Sequence, residues 1–253
     1  MAAPSSSVLR ALEVCEALGQ HQPIGVRELS RLVEVPRSSA LRALESLEAA
    51  GWAVRTNGMW SLSLRPAVVG LQASGLAGLR GLAAAALNRL SALSNESVRL
   101  WIREGDRVVL VESRESAQPV RFVSPPPGAS LPLHAAASGK AILAHLPRQE
   151  IEEILALPLA AVAAHTITDP ARLREDLATV RSRGYAMTSQ EAGDDIGGVA
   201  AAITDPSGTA VAAVSIALPM HRLTDAIVAN YGGAAAAEAR GLSAELAGSL
   251  RAD

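Results

Sequence analysis

The chain has 253 residues, 49% of them apolar, with 23 basic and 25 acidic side chains for a formal net charge of −2. That length suits two domains of ordinary size, each able to bury a core. The near-neutral balance excludes a sequence-blind polyelectrolyte binder, the single cysteine excludes a disulfide framework, and no apolar run reaches the ~18 residues of a membrane span.

The first residues, Met1-Ala2-Ala3-Pro4-Ser5-Ser6-Ser7, lack the basic and apolar parts of a signal peptide, so a cytoplasmic location is expected. Val8, Leu12, Cys15 and Leu18 then recur on one helical face, with Cys15 as a small buried hydrophobe. In the next helix Val26, Leu29, Leu32 and Val33 form an apolar stripe. Pro36 drives Val35 out of the helical region and suits the first turn of a new helix. That helix buries Leu41, Leu44 and Leu47 and turns Ser38, Arg42 and Ser46 the other way. Gly51 follows its end. Asn57-Gly58 supplies positive φ twice, the signature of a two-residue hairpin turn. Trp60, Leu62 and Leu64 alternate with serines, as in a half-buried strand.

Two short helices, a tight turn and a hairpin make a winged helix-turn-helix, a double-stranded DNA-binding module. Its candidate contacts are Arg37, Ser38 and Ser39 in the first turn of the second helix, where free N–H groups attract phosphate. Arg42, one turn further on, can pair with the guanine edge. Arg55 and Asn57 on the wing and Arg27 on the first helix complete the set. Through Arg65 there are 7 basic and 6 acidic residues, so affinity rests on few phosphate contacts per subunit and a dimer doubles them.

Residues 66–78, with Pro66 and repeated glycines, read as a linker helix between a DNA-binding domain (1–65) and a second domain (79–253). Leu79, Leu82, Ala86, Leu90 and Leu93 stripe a helix there. Val98–Ile102 and Arg107–Val111 form a hairpin, and Val120–Val123 reads as a third strand. A Pro125-Pro126-Pro127-Gly128 loop precedes a helix whose first turn carries Ser138, Gly139 and Lys140, the one lysine of the chain. Such a start either holds an anion or packs the loop closely; the plainer expectation is a solvent-facing lysine. A helix from about Arg148 to Leu157 follows, then one from Asp169-Pro170 to Gly184. Strands are expected at Tyr185–Thr188, Gly197–Ile203 and Ala210–Leu218, the last two joined by a type I turn at Asp205-Pro206-Ser207-Gly208. A last helix runs from about Thr224 to Leu250, with Gly232-Gly233 as a weak point. The second domain is therefore α+β, an antiparallel sheet with helices packed on it.

In their order and spacing these residues resemble the IclR family of bacterial transcription regulators. Pro36, Ser38, Ser39, Arg42, Leu44 and Leu47 carry the likeness in the first domain. Asn95-Glu96-Ser97-Val98, Leu131-Pro132-Leu133-His134, Ala137-Ser138-Gly139-Lys140-Ala141, Thr166-Ile167-Thr168, Arg181-Ser182-Arg183-Gly184-Tyr185 and Asp205-Pro206-Ser207-Gly208 carry it in the second. The resemblance implies a GAF-like effector domain for a small organic ligand, often a carboxylate or aromatic acid. It also implies a homodimer or tetramer on a palindromic operator. The implied pocket comprises Ala137, Ser138, Gly139, Thr188, Gly198 and Ser215. Thr188-Ser189 stand where acidic residues are frequent, Asp195 replaces a common glycine, and Ala202 stands near a frequent proline. With Gly198 enlarging the pocket and basic groups scarce, a small, modestly polar ligand is expected.

Two other functions compete. Ser138 and Lys140 could serve a hydrolase as nucleophile and base, but nothing orients the base. A dimerisation scaffold without ligand is the other. The five histidines show no metal-ligand spacing, so neither a metal nor a cofactor is expected. The expected function is a sequence-specific transcription regulator, a repressor, whose operator affinity an effector changes.

Overall fold

The computed structural model describes residues 4–72, 76–122 and 124–249, in two units that divide between Ala77 and Gly78. In the first unit the chain forms α1 (Ser6–His21), α2 (Val26–Leu32), α3 (Arg37–Ala49), β1 (Ala53–Thr56), β2 (Met59–Leu62) and α4 (Arg65–Gln72). Its core is Val14 and Leu18 of α1, Ile24 before α2, Leu29 of α2, Ala43, Leu44 and Leu47 of α3, and Ala53 and Trp60 of the wing.

The buried face of α1 differs from the expected one. Val14 and Leu18 are fully buried, whereas Val8 and Leu12 are 57% and 51% exposed, with Leu9 beside them. Of the expected row only Leu18 is fully buried, joined by Val14 from the neighbouring row, because α1 presents apolar side chains on more than one face. Cys15 is half-buried, not buried. Leu32 is exposed as well. Pro36 sits one position before the first turn of α3, and its carbonyl accepts the N–H of Ala40 at 3.0 Å.

In the wing, β1 and β2 pair antiparallel with Arg55 opposite Trp60. Asn57 and Gly58 adopt φ of 53° and 80°, as a two-residue turn of this twist requires. Trp60 exchanges two backbone hydrogen bonds with Ile24, of 2.9 and 3.0 Å, so the segment before α2 adds a third rung. Leu64 lies beyond the end of β2 and is exposed, outside the alternation read from sequence. Of the expected linker segment 66–78, Pro66 to Gln72 lie in α4, and residues 73–75 lie outside the described residues.

The second unit holds α5 (Leu76–Ser94), β3 (Ser97–Glu104), β4 (Arg107–Arg114), β5 (Ser130–Pro132), α6 (Ala137–Leu143), α7 (Arg148–Leu155) and α8 (Pro170–Arg183). Then come β6 (Ala186–Ser189), β7 (Ile196–Thr204), β8 (Ala210–Pro219) and α9 (Asp225–Ser249). Six strands form one sheet in the order β5-β4-β3-β8-β7-β6, antiparallel throughout. Strand alternation sends Val98, Leu100, Val214 and Ile216 to one face, where α5 and α9 pack. Trp101, Ala200 and Ala213 go to the other, under α6, α7 and α8. This is the α+β arrangement expected.

The punctuation read from sequence places most elements. The Asp169 carboxylate caps α8 by accepting the Ala171 N–H, and Gly184 ends it at φ 84°. The Asp205 side chain gathers the N–H groups of Ser207 and Thr209 in the β7–β8 turn. Three expectations change. In α5 the buried apolar residues are Leu79, Ala83, Ala86, Leu87 and Leu90, while Leu93 is exposed. Val120 to Phe122 form no strand, and Val123 lies outside the described residues. Their carbonyls are taken by side chains instead: Ser97 Oγ donates to Phe122 O at 2.9 Å and Arg222 Nη2 to Val120 O at 3.0 Å. Gly232-Gly233 does not break α9; a Cβ at Gly232 would lie 2.4 Å from the Tyr185 ring, so glycine there lets helix and ring meet.

Candidate functional sites

The register of the sheet builds one cavity. Thr188 faces Gly198, which faces Ala217; in the next rung Ala200 faces Ser215, which faces Arg99. Paired residues share a face, so both rungs look toward α6. Small residues at Gly198 and Ala217 leave space, and Ala136, Ala137 and Ser138 close it from above. The result is a cavity of about 50 Å³ whose wall includes Arg99, Trp101, Thr188, Ala192, Ile196 and Ser215.

Five of the six sequence-derived pocket residues, Ala137, Ser138, Thr188, Gly198 and Ser215, line this cavity. Gly139 does not. A Cβ there would stand 2.2 Å from the Leu133 carbonyl oxygen, so this glycine serves close packing of loop on helix. Gly139→Ala should lower stability by about 1–3 kcal/mol, since a backbone oxygen cannot turn aside; a thermal melt matching the parent would refute the packing role. Gly198 does more than widen the cavity, because a Cβ there would lie 2.8 Å from the Ile216 carbonyl.

Sequence reasoning missed Arg99 and Trp101. Trp101 Nε1–H donates to Ser215 Oγ at 3.0 Å. Arg99 is 5% exposed, and its Nε–H donates to Ser124 Oγ at 2.8 Å. Arg99 is the one basic residue among those that line the cavity, so basic groups are scarce there but not absent. The signal was present: positions 99 and 101 alternate with Val98 and Leu100 and so share the opposite face.

Lys140 is 0% exposed, which overturns the solvent-facing expectation. Its ammonium pairs with Asp176 Oδ2 at 3.0 Å and with Glu191. Burial lifts the Glu191 carboxyl above its ordinary range against the pull of Lys140, with Asp176 adding to the rise. Thr166 Oγ1 donates to the Glu191 carbonyl at 2.7 Å, and the next residue, Ala192, is cavity wall. The lysine thus pins the loop beside the cavity. Tied to two carboxylates, it is not placed as a base for Ser138. His134 and His145 bond to the carbonyls of Ala160 and Ala141, and no cluster fit for a metal ion occurs among the described residues. None of their helices is long and apolar enough to cross a membrane.

In the first unit, Arg37, Ser38 and Arg42 are exposed on α3, opposite its buried stripe, with Ser39 half-exposed. The amino end of α3 carries no side-chain cap and no acidic residue. Arg27 on α2 is exposed, and so are Arg55 and Asn57 on the wing, where Arg55 lies 5.4 Å over the Trp60 ring. The row Val8, Leu12 and Cys15 lines a groove of about 650 Å³ between α1 and α3.

Comparison with known proteins is consistent across both units. The family description "IclR helix-turn-helix domain" matches residues 7–57, and "Bacterial transcriptional regulator IclR C-terminal" matches 73–244. The HTH-type transcriptional regulator BhcR of Paracoccus denitrificans is 36% identical over 158 residues, 62% of this chain and 56% of that protein. The HTH-type transcriptional repressor AllR of Escherichia coli K12 is 36% identical over 161 residues, 63% of this chain and 59% of that one. These matches therefore span less than two thirds of either relative. A crystal structure of an IclR homolog from Microbacterium hydrocarbonoxydans, complexed with 4-hydroxybenzoate, superposes with a TM-score of 0.81 at 26% identity, over 98% of this chain and 100% of that one. Those family matches cover a helix-turn-helix and the C-terminal domain of a transcriptional regulator in chain order, and the proteins they describe are regulators, not enzymes. The chain belongs to the IclR family of bacterial transcription regulators.

Proposed function

We propose that this chain represses transcription by holding a palindromic operator as a homodimer or tetramer, and that a small organic effector in the β-sheet cavity changes its operator affinity. The observation that carries the DNA reading is the polar face of α3. Its uncapped first turn offers backbone N–H groups and the positive end of the helix to phosphate. Arg37, Ser38 and Ser39 hold that phosphate, Arg42 reads a base, and Arg27, Arg55 and Asn57 contact the flanking backbone. The exposed row Val8, Leu9 and Leu12 on α1 supplies an apolar face on which a second copy can pair. AllR, a relative of similar identity, carries the name of a repressor.

The cavity carries the effector reading, with the homolog bound to 4-hydroxybenzoate as support for a ligand in such a domain. Binding there would shift the second domain between two arrangements, and residues 66–78 would pass the change to the spacing of the recognition helices. Half-sites stand about 34–36 Å apart for each helical turn, so a small change of spacing is costly. The shift cannot exceed the ligand's differential affinity for the two arrangements.

Genome-wide footprinting of the purified protein, with and without a metabolite library, tests both parts. One palindrome bound tightly and released by one metabolite is the expected result; binding no tighter than about 10⁻⁴–10⁻⁶ M on all DNA would end the operator reading. Arg42→Ala should weaken operator binding by about 1–3 kcal/mol through loss of a bidentate guanine contact. An equal loss on random DNA reduces Arg42 to a phosphate contact.

A further inference from the structure

Arg10 is the one arginine of α1 and lies outside the helix-turn-helix itself. It is half-buried, yet its guanidinium has no hydrogen-bond or ion-pair partner among the described residues. A partly desolvated cation with idle N–H donors calls for an anion. No acidic residue beside it answers. Arg10 lines the groove between α1 and α3 together with Arg42 and the hydroxyl residues Ser7, Ser39 and Ser46, and no carboxylate is among the lining residues. The two acids of α1, Glu13 and Glu16, line a separate groove with Glu34. Charge is thus sorted round the helix, with its arginine on the side of the reading helix.

Two packed helices lie about 8–10 Å apart, axis to axis, and the DNA major groove that admits a helix is about 12 Å wide. A helix packed beside α3 therefore stands over one lip of the DNA groove, where the phosphates of one strand run. α1 is packed in this way: Val14 and Leu18 share a core with Ala43, Leu44 and Leu47 of α3. An arginine there can lay its stem along apolar surface and carry its charge to the lip. Pairing between copies offers Arg10 less. At about 100° per residue it lies about 150° round α1 from the mid-line of the exposed Val8, Leu9 and Leu12. It is thus not part of the apolar face on which a second copy can pair.

We propose that Arg10 is a further phosphate-binding residue of the DNA-binding unit, holding the backbone of one strand beside the groove that α3 enters. The inference rests on the α3 reading above and extends the contact surface to α1. Arg10 reads no base. It adds affinity on any sequence and helps fix how α3 sits in the DNA groove. With only 7 basic residues through Arg65, one such contact is a substantial share of the electrostatic affinity.

The test is binding of the full-length protein to a mixed-sequence duplex of about 30 base pairs, followed by fluorescence anisotropy over about 0.05–0.3 M salt. The parent is compared with Arg10→Gln, Arg10→Lys and, on α3, Arg37→Ala. For each bound subunit, Arg10→Gln should reduce the slope of log K against log salt by about 0.9. Its binding should be about eightfold weaker at 0.1 M salt, a gap that closes toward 1 M. Arg10→Lys keeps the charge and should keep the parent's slope. Circular dichroism and sedimentation check that each variant folds and self-associates as the parent does. Should Arg10→Gln fail to fold, the parent itself decides: the duplex should protect Arg10 from phenylglyoxal, read by mass spectrometry. A parental slope in Arg10→Gln, or no protection of Arg10, overturns the contact; weakened binding by Arg37→Ala would then leave the α3 reading standing. Equal losses in Arg10→Gln and Arg10→Lys, or a loss that accompanies lost self-association, overturn it as well. A parent without salt-dependent affinity for the duplex overturns both this contact and the α3 reading.

Discussion

Lys140→Met is expected to destabilise the second unit by about 3–5 kcal/mol, the usual result of removing one partner from a buried ion cluster. The side chains concerned come from three separate segments: Lys140 from α6, Asp176 from α8 and Glu191 from the loop after β6. With the ammonium gone, a half-buried Asp176 and a buried Glu191 would face each other unpaired, and Glu191 already resists ionisation through burial. At about 2–4 °C per kcal/mol for a unit of this size, the midpoint of its melt should fall by roughly 10 °C. Adding Glu191→Gln and Asp176→Asn to Lys140→Met should recover part of the loss, because the unpaired charges disappear with their partner. A single variant that melts within a degree or two of the parent would show that water reaches the cluster and that its charges do not need one another.

The second large effect falls in the wing. Trp60→Ala should cost about 3–5 kcal/mol, the penalty for emptying a large buried site. Trp60 is 1% exposed, sits in the core with Leu18 and Leu44, bonds through its backbone to Ile24, and carries Arg55 over its ring. A unit of this length buries only about 60% of its chain surface and has little stability to spare. Operator binding should therefore vanish with the fold of the first unit, while the second unit still unfolds at its usual temperature. Two-step melting followed by circular dichroism would show this; retention of operator affinity by Trp60→Ala would mean that the wing is dispensable.

What could be read from the chain was mostly its punctuation. Pro36, Asn57-Gly58, Asp169-Pro170 with Gly184, and Asp205-Pro206-Ser207-Gly208 each act through backbone geometry, which needs no knowledge of distant residues. Faces were harder. α1 offers Val8 and Leu12 as well as Val14 and Leu18, and only the packing of α3 against it decides which pair is buried. The burial of Lys140 is not legible in the sequence because its partners stand 36 and 51 positions away, on elements that meet it only in the fold. Arg99 was overlooked for a related reason. An arginine within an apolar strand suggests a solvated face, and the Ser124 and Phe122 contacts that hold it come from a segment without strand pairing. The opposite case is the cavity itself: five of its residues were named from resemblance, and the sheet register brings them together.

The two outer strands have a consequence for how copies of this protein can meet. β5 is three residues long and ends in Pro132, which has no N–H to offer; β6 is four residues long. The long strands β3 and β8 lie inside, each paired on both sides, while β7 meets β6 over Gly197 to Ala200 and β4 meets β5 over Arg107 to Val109. A neighbouring chain thus finds only a short row of amides and carbonyls on each outermost strand to extend, the route by which exposed sheets polymerise. Growth by strand addition is disfavoured at the two outermost strands. Association of copies is left to helical and loop surfaces, whose side chains, unlike a generic backbone, can tell one partner from another.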